Sequence, residues 1–286
     1  MSSADVTTST QSAATGRAGR NLPAAVGVGL GLGALVLGTL YSPARWVFIV
    51  VVVAAGAVGT LELVRALRQL GAEPPAVPLV VGGAAMVVAG YRYGPEEVFL
   101  ALALTAIGCV LWRLAAPANG LLRDVTAGVL TAVYVGFLIS FAAMLTVPAD
   151  GPRRVTAFIA TVVCCDVGGY AAGVLFGKHP MAPTVSPKKS WEGFAGSVAA
   201  CALAGGIFFA TLFEGTTWWQ GVLFGLAVVC SAVLGDLGES MIKRDIGIKD
   251  MGHLLPGHGG LMDRLDSLLP TAPIAWLLLT AFVPLP

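Results

Sequence analysis

The feature that most constrains this chain is a series of apolar runs, each close to 20 residues long. A helix needs about 20 apolar residues to cross the hydrocarbon core of a bilayer. Only 12% of the 286 residues are charged, whereas soluble domains carry about 25%. We therefore predict an all-α, polytopic integral membrane protein with about nine transmembrane helices. The predicted spans are 22–41, 46–66, 77–91, 97–115, 124–147, 155–176, 194–213, 217–238 and 268–284.

Three regions differ in composition. Residues 1–21 are rich in Ser, Thr, Ala and Gly and contain no aromatic residue, which predicts a disordered cytoplasmic N-terminal tail. The apolar run after Arg20 is too long for a signal sequence, so we interpret it as a retained helix. Residues 22–147 are predicted to form a five-helix membrane region. Residues 148–286 carry two polar cytoplasmic loops and charges within the spans, so we expect the catalytic chemistry there.

The distribution of basic residues predicts the orientation. With a cytoplasmic N-terminus and nine spans, 13 of the 17 Lys and Arg residues fall on the cytoplasmic side, as the positive-inside rule requires. The other four are Arg45, Arg92, Arg153 and Arg154. An odd number of spans then places the C-terminus outside.

Two groups of residues are given structural interpretations. The acidic residues of the first region lie near span ends or in loops, and we expect them to be solvated: Glu62, Glu73, Glu96, Glu97 and Asp124. The five cysteines lie in apolar runs with no metal-ligand spacing, and we interpret them as small buried hydrophobes and not disulfides: Cys109, Cys164, Cys165, Cys201 and Cys230.

Asp166 is a functional candidate because of its depth. It lies about twelve residues into the span that begins near residue 155, where an ionisable side chain is costly. A structural hydrogen bond to a neighbouring helix is the alternative. The adjacent Gly168 and Gly169 would allow close backbone approach.

A short basic loop precedes the seventh span. It contains Lys178, His179 and the run SPKKSWEG at 186–193. Adjacent lysines, hydroxyl groups and a helix N-terminus could cradle a phosphate, although cytoplasmic lysines are also routine topology signals.

Two further segments carry closely spaced charges. Asp236, Ser240 and Lys243 are spaced i, i+4, i+7 and share a helix face, which could hold a metal beside an anion or form a simple ion pair. Asp263 and Asp266 point the same way if 262–267 is helical, and hard oxygen ligands of this kind suit magnesium.

Together these features predict phosphoryl or nucleotidyl transfer to or from a lipid at the cytoplasmic membrane surface. The sequence contains no P-loop, no GxSxG motif and no cysteine or serine nucleophile beside a positioned base. Catalysis would therefore depend on metal charge and on the positioning of the reactants.

Residues 240–266, SMIKRDIGIKDMGHLLPGHGGLMDRLD, closely resemble the motif of the CDP-diacylglycerol synthases, also called phosphatidate cytidylyltransferases. That motif reads Ser, two residues, Lys-Arg, four residues, Lys-Asp, a small residue, a Pro, His-Gly-Gly and Asp-Arg-x-Asp. The run at 186–193 resembles a second stretch of that family, with Ser190 where Thr is usual, a change that keeps the hydroxyl. The Asp166 span also resembles its family counterpart. The resemblance covers about 155–270, and the first five spans resemble the family only in number and hydropathy.

The resemblance implies an activity. A phosphatidate oxygen would attack the α-phosphorus of CTP directly, giving CDP-diacylglycerol and pyrophosphate. Asp236 and Asp263, which spacing alone could not pair, would be ligands of Mg²⁺, with K⁺ as a second ion and with Asp266 and Asp250 as further candidate ligands. The partners would be CTP, phosphatidate, membrane lipids and a second copy in a homodimer, but no nucleic acid. The protein would lie in the plasma membrane with its active site facing the cytoplasm.

The site residues carried over by the resemblance fall into two groups. The expected catalytic residues are Asp236, Asp263, Lys243, Arg244 and His258. For His258, a purely structural role between glycines is an equal alternative. The expected substrate-binding residues are Ser186, Lys188, Lys189, Ser190, Glu192, Lys249, Arg264 and Asp166.

Two other functions are alternatives. A transporter with an intramembrane carboxylate relay would use Asp166 and the glycine-rich spans, but it leaves residues 240–266 unexplained. Another lipid-phosphate transferase, such as a CDP-alcohol phosphotransferase, would need an Asp-Gly pair followed by Ala-Arg and two more aspartates, and this sequence lacks that pattern.

Overall fold

The computed structural model describes residues 22–115, 119–254 and 259–284, with side chains described from residue 27. Within these ranges the chain is almost entirely helical, with one short β-hairpin at residues 180–190. The helices are α1 (Leu22–Leu40), α2 (Trp46–Arg68), α3 (Ala76–Arg92), α4 (Pro95–Leu114), α5 (Leu121–Thr131), α6 (Leu138–Met144), α7 (Gly151–Phe176), α8 (Trp191–Leu212), α9 (Trp218–Ile246), α10 (Met262–Leu265) and α11 (Leu268–Phe282). The hairpin consists of β1 (Pro180–Ala182) and β2 (Ser186–Ser190), and a π-helical turn, Ala132–Phe137, joins α5 to α6.

The helices account for all nine predicted apolar runs. In the described ranges, seven helical segments are long and apolar enough to cross a membrane: Trp46–Arg68, Pro95–Leu114, Leu121–Met144, Gly151–Phe176, Trp191–Leu212, Trp218–Ile246 and Met262–Phe282. The apolar helices Gly27–Leu40, within α1, and Ala76–Arg92 are shorter. The prediction of a polytopic, all-α membrane protein is therefore confirmed. Helix α9 continues past residue 238, where the predicted span ends, and carries Asp236 to Lys243.

Glycines bring α7, α8 and α9 into close contact. A Cβ atom added at Gly168 of α7 would lie 2.5 Å from the Cβ of Ala200 and 2.8 Å from the carbonyl oxygen of Gly196 on α8. Such small residues let helix backbones approach closely in lipid. The expected close approach at Gly168 is confirmed, and it places Asp166 beside the N-terminal half of α8, where Ser197 donates a hydrogen bond to the carbonyl oxygen of Cys165.

Two of the four arginines that are predicted to lie on the non-cytoplasmic side, Arg45 and Arg154, make contacts at the same end of the bundle. Arg45 donates hydrogen bonds to the carbonyl oxygens of Pro148 (2.8 Å) and Ala149 (2.9 Å). The buried Arg154 pairs with Asp150 at 2.8 Å and donates to the carbonyl oxygen of Leu279 at 2.8 Å. These contacts bring the start of α2, the α6–α7 connection and the end of α11 to the same end of the bundle.

The expectation of solvated acidic residues is wrong at two positions. Asp124 is 1% exposed, accepts a hydrogen bond from the Glu73 N–H at 2.7 Å and pairs with Arg113 at 2.8 Å. Glu62 is 3% exposed. In each case the N–H or guanidinium groups of neighbouring segments replace water around the carboxylate. The remaining three, Glu73, Glu96 and Glu97, are exposed as expected.

The five cysteines are free thiols, as predicted. Three of them, Cys109, Cys165 and Cys201, are buried among apolar side chains. The other two depart from the expectation of burial, because Cys164 is half-buried and Cys230 is exposed on the outer surface of the bundle.

The glycine contact between α7 and α8 predicts an effect on stability. Gly196→Ala would push a methyl group into Ala172 and the Gly168 carbonyl, and we expect it to lower the free energy of unfolding by about 1–3 kcal/mol. Gly206→Ala on the same helix meets only ordinary contacts of 3.5 Å or more and should leave stability unchanged or slightly higher. SDS titration of the purified protein, followed by circular dichroism, measures both. Equal stability of the two variants would contradict the close packing.

Candidate active site

The basic loop forms a hairpin that delivers its polar side chains to the start of α8. Strands β1 and β2 pair antiparallel, with Pro180 opposite Ser190. Ser190 is the N-cap of α8, and its Oγ accepts a hydrogen bond from the Gly193 N–H at 3.1 Å. The cap fixes where the strand ends and the helix begins. Lys188 and Lys189, which precede it in the chain, are therefore held near the α8 N-terminus.

Glu192 closes the base of this hairpin. Its Oε2 accepts hydrogen bonds from the N–H groups of Lys178 (3.1 Å) and His179 (3.2 Å). Its Oε1 shares a hydrogen bond of 2.6 Å with the His179 Nδ1. These contacts fix where the chain leaves α7, so the structure gives Glu192 a role in holding the loop.

A cavity of about 310 Å³ lies between this hairpin and α7, α8 and α9, and we call it the hairpin cavity. Five of the predicted site residues line it: Asp166, Lys188, Lys189, Ser190 and Asp236. They come from three separate segments of the chain. The structure therefore brings the Asp166 span, the basic loop and the α9 carboxylate to one place.

Charges of both signs meet in the hairpin cavity. The Lys189 Nζ lies 2.5 Å from the Asp236 Oδ2, and the Ser240 Oγ lies 3.4 Å from the Asp236 Oδ1, so the predicted shared face of α9 is present. Asp166 interacts electrostatically with Asp236, Lys189 and the exposed Arg264. An anionic phosphate group would meet two lysines here, Lys188 and Lys189.

A second group of charged residues lies further along α9. It consists of Lys243, Glu239 and Asp263, and we call it the Lys243 network. The Lys243 Nζ contacts the Glu239 Oε1 at 3.0 Å and the Asp263 Oδ1 at 2.9 Å. The Asp263 Oδ2 also accepts hydrogen bonds from the N–H groups of Gly260 (2.8 Å) and Met251 (2.9 Å). Asp263 is 7% exposed and Glu239 is fully buried. Lys243 therefore sits between two buried carboxylates and offsets part of their negative charge.

Asp263 and Asp266 make different hydrogen bonds. Helix α10 ends at Leu265, but Asp266 and Ser267, which join it to α11, keep right-handed helical dihedral angles, so the helical backbone expected across 262–267 is present. The Asp266 Oδ1 accepts the Ser267 N–H at 2.6 Å, and its carboxylate interacts electrostatically with Asp236 and Asp166. Asp266 thus interacts electrostatically both with Asp236 and Asp166 of the hairpin cavity and with Lys243 and Glu239.

A second cavity of about 710 Å³, which we call the loop cavity, lies between α2 and residues 248–254. Lys249 and Asp250 line it together with Arg65 of α2 and Gln69, the residue that follows this helix. The structure therefore separates these two predicted residues from the hairpin cavity.

Two other predicted residues support the hairpin. The Arg244 Nε donates to the carbonyl oxygen of Val185 at 3.3 Å, which ties the end of α9 to the hairpin turn. Ser186 begins β2 and pairs with Ala182. His258 lies outside the described residues.

Two residues near the site were not predicted from the sequence, Glu239 and Tyr134. Glu239 lies one helical turn before Lys243, and this i, i+4 spacing of opposite charges would have been enough to predict an ion pair. Its Oε2 is buried without a hydrogen-bond partner among the described residues. The same holds for the hydroxyl of Tyr134, which interacts electrostatically with Glu239, Asp266 and Asp236. Tyr134 lies in the π-helical turn, a distortion frequent at functional sites, and no local sequence pattern indicates it.

The donor set fits a magnesium ion. In the described part of the chain, no three Asp, Glu, His or Cys side chains form a preassembled metal-binding group. Mg²⁺ is usually held by only one or two carboxylates, with waters and substrate phosphates completing its shell. Asp236, Asp166 and Asp266 interact electrostatically as like charges, and within the described ranges the Glu239 Oε2 has no hydrogen-bond partner. A divalent cation would relieve this excess of negative charge.

The sequence matches the cytidylyltransferase family over residues 23–282. The chain belongs to this family. A phosphatidate cytidylyltransferase of Mycobacterium leprae (strain TN) is 47% identical over 285 residues, covering 93% of this chain and 90% of that protein. One of Mycobacterium tuberculosis (strain ATCC 25618 / H37Rv) is 48% identical over 280 residues, covering 93% and 84%. A protein of the same name from Synechocystis sp. (strain ATCC 27184 / PCC 6803 / Kazusa) is 27% identical over 294 residues, covering 93% and 97%. The family resemblance of the motif is thereby confirmed.

The Lys243 network predicts a loss of stability that a second substitution partly repairs. Lys243→Met leaves Glu239 buried without its counter-charge, and we expect the free energy of unfolding to fall by about 3–5 kcal/mol. Adding Glu239→Gln removes one of the unbalanced charges and should recover part of that loss. SDS titration of both proteins measures the difference.

The exposed Lys178 offers a matched control, and Lys178→Met should unfold like the unaltered protein. If Lys243→Met were equally stable, or if Glu239→Gln simply added a further loss, Lys243 would not balance these carboxylates.

Proposed function

We propose that this protein is a phosphatidate cytidylyltransferase, which converts CTP and phosphatidate to CDP-diacylglycerol and pyrophosphate. The observation that carries the proposal is the meeting of Asp166, Lys188, Lys189 and Asp236 in one cavity between membrane-spanning helices. Relatives of the same name are 47–48% identical over 93% of the chain. A cavity bounded by spans and lined with lysines suits a substrate whose phosphate is charged and whose tail stays in lipid.

The reaction would be a direct displacement. A phosphatidate oxygen forms a bond to the α-phosphorus of CTP, the bond from that phosphorus to the bridging oxygen breaks, and pyrophosphate leaves with the electron pair. Lys188 and Lys189 would bind phosphate oxygens. Lys243, which lies beside Asp263, would stabilise the negative charge that develops on the phosphate oxygens during the displacement. Because the two reactants carry like charges, most of the rate enhancement would come from holding them together against repulsion.

Asp236 and Asp263 would hold Mg²⁺, with Asp266 and Asp250 as further candidate ligands and K⁺ as a second ion. When bound, the metal would neutralise phosphate charge and orient the triphosphate. Both proposed main ligands are paired with a lysine, at 2.5 Å for Lys189 and 2.9 Å for Lys243. Each lysine could therefore turn from a carboxylate to a substrate phosphate when a cation takes its place.

The proposal includes a topology of nine crossings in the plasma membrane, with the site facing the cytoplasm and the N-terminus inside. The distribution of basic residues supports it, because 13 of 17 then lie on the cytoplasmic side. The contacts of Arg45 and Arg154 at the opposite end of the bundle support the same division. A homodimer is part of the proposal by family resemblance alone.

The carboxylates predict loss of product in a direct assay. Purified protein is incubated with CTP labelled at the α-phosphate and with phosphatidate, and lipid-linked CMP is measured. We expect Asp263→Asn and Asp236→Asn each to lower its formation by about 100-fold or more, because each removes a proposed metal ligand. Asp245→Asn, at an exposed position on the same end of α9, should keep the full rate.

The same assay decides between the alternatives. Near-normal product with Asp263→Asn, or a full rate after magnesium is removed with a chelator, would contradict the metal assignment. Transfer of label across a vesicle membrane without any labelled lipid would instead favour a transporter.

The proposed topology predicts that two exposed arginines at helix ends, Arg92 and Arg68, lie on opposite sides of the membrane. Arg92→Cys should react with a membrane-impermeant maleimide on intact spheroplasts, whereas Arg68→Cys should react only after the membrane is permeabilised. The unaltered protein measures the background from its own five thiols. The reverse pattern would invert the proposed orientation.

A further inference from the structure

Glu62 is a buried carboxylate that none of the preceding steps uses. It lies on α2, in the first membrane region, yet both of its oxygens contact the C-terminal motif. The Leu261 N–H donates to its Oε1 at 3.2 Å and the Met262 N–H donates to its Oε2 at 2.7 Å. With 3% of its surface exposed, these backbone groups stand in for the water that a carboxylate needs.

These hydrogen bonds fix the segment that carries Asp263. Three consecutive N–H groups are divided between two carboxylates, with Gly260 donating to Asp263 and the next two residues donating to Glu62. Asp263 itself follows Met262 directly. A shift of the Glu62 side chain would therefore move the backbone from which the Asp263 carboxylate projects.

The glycines of the motif enclose the same carboxylate. A Cβ atom at Gly260 would lie 2.6 Å from the Glu62 Oε2, and a Cβ atom at Gly252 would collide with the Glu62 Oε1. The two backbone segments at 252 and 260 thus close around a side chain from α2. This gives a physical reason for glycine at both positions, because any side chain there would displace Glu62.

We propose that Glu62 is a positioning residue, through which the first membrane region sets the place of Asp263 in the catalytic site. Each of its two oxygens accepts from one of two adjacent N–H groups, and an amide cannot reproduce this arrangement because its nitrogen is a donor that would face one of those N–H groups. The kinetic part of this inference rests on the proposed function, whereas the structural part rests only on the contacts of Glu62.

The test compares Glu62→Gln with Glu73→Gln, which changes an exposed glutamate just beyond the same helix. Hydrogen exchange of the purified, metal-free and substrate-free protein is measured by mass spectrometry. We expect peptides covering residues 259–265 to exchange about tenfold faster in Glu62→Gln, since two N–H groups lose their paired acceptor. Peptides from α8 should be unchanged, and Glu73→Gln should match the unaltered protein throughout.

The kinetic readout separates positioning from general instability. We expect Glu62→Gln to raise the Mg²⁺ concentration for half-maximal rate by about tenfold, as substitutions behind a metal ligand typically do, and excess Mg²⁺ to restore part of the rate. A role confined to stability would lower the rate in proportion to the folded fraction and leave the Mg²⁺ dependence unaltered.

Gly252→Ala provides a second test if Glu62→Gln fails to fold. It keeps the carboxylate but displaces it, so the same local exchange and the same Mg²⁺ shift are expected. Gly38→Ala, whose added methyl group meets open space, is its control. Unchanged exchange at 259–265, or an unchanged Mg²⁺ dependence in a folded variant, would overturn the proposal. If the unaltered protein made no CDP-diacylglycerol, the proposed function would fail while the exchange measurement would still decide the role of Glu62.

Discussion

The arrangement of the site depends on the ammonium group of Lys243, which lies between two buried carboxylates. Glu239 and Asp263 come from separate helices, and without a cation between them their charges would repel in a region of low dielectric constant. Lys243 contacts both within 3.0 Å and thereby joins α9 to the segment before α11. Under the proposed function, the stability of this junction and the chemistry of the site would be linked, since a substrate phosphate that attracted Lys243 would also weaken its ion pair with Asp263.

The hairpin cavity has a different origin, in the small residues of α7 and α8. Because Gly168 and Gly196 let these helices touch at their backbones, Asp166 lies against the N-terminal half of α8 and lines the same cavity as Ser190, which ends the hairpin. Larger residues would separate the helices and move the lysines of the hairpin away from Asp166 and Asp236. Close packing in the membrane therefore determines the distance between groups of opposite charge.

The sequence predicts the apolar helices well, because hydropathy acts locally over about 20 residues. It also predicts which segments meet at the hairpin cavity, since an aspartate deep in a span, a basic loop and a carboxylate at the end of α9 are each unusual by themselves. It does not predict Glu62 or Asp124, because a carboxylate near a span end looks the same whether it faces water or a neighbouring backbone. Tyr134 is hidden for a similar reason, as the π-helical turn that carries it has no local sequence signature.

The contacts of Glu62 change how the two membrane regions are understood. The family motif lies entirely in the C-terminal region, so the first five predicted spans could be regarded as a scaffold. Yet α2 supplies the acceptor for two N–H groups of the motif, and the motif's glycines leave room for that side chain. The π-helical turn from the same region contributes Tyr134 beside Glu239 and Asp266. A C-terminal region expressed alone would leave the Leu261 and Met262 N–H groups without their acceptor in an apolar environment, a cost that favours alternative conformations of the segment carrying Asp263. The catalytic geometry is therefore a property of the whole chain.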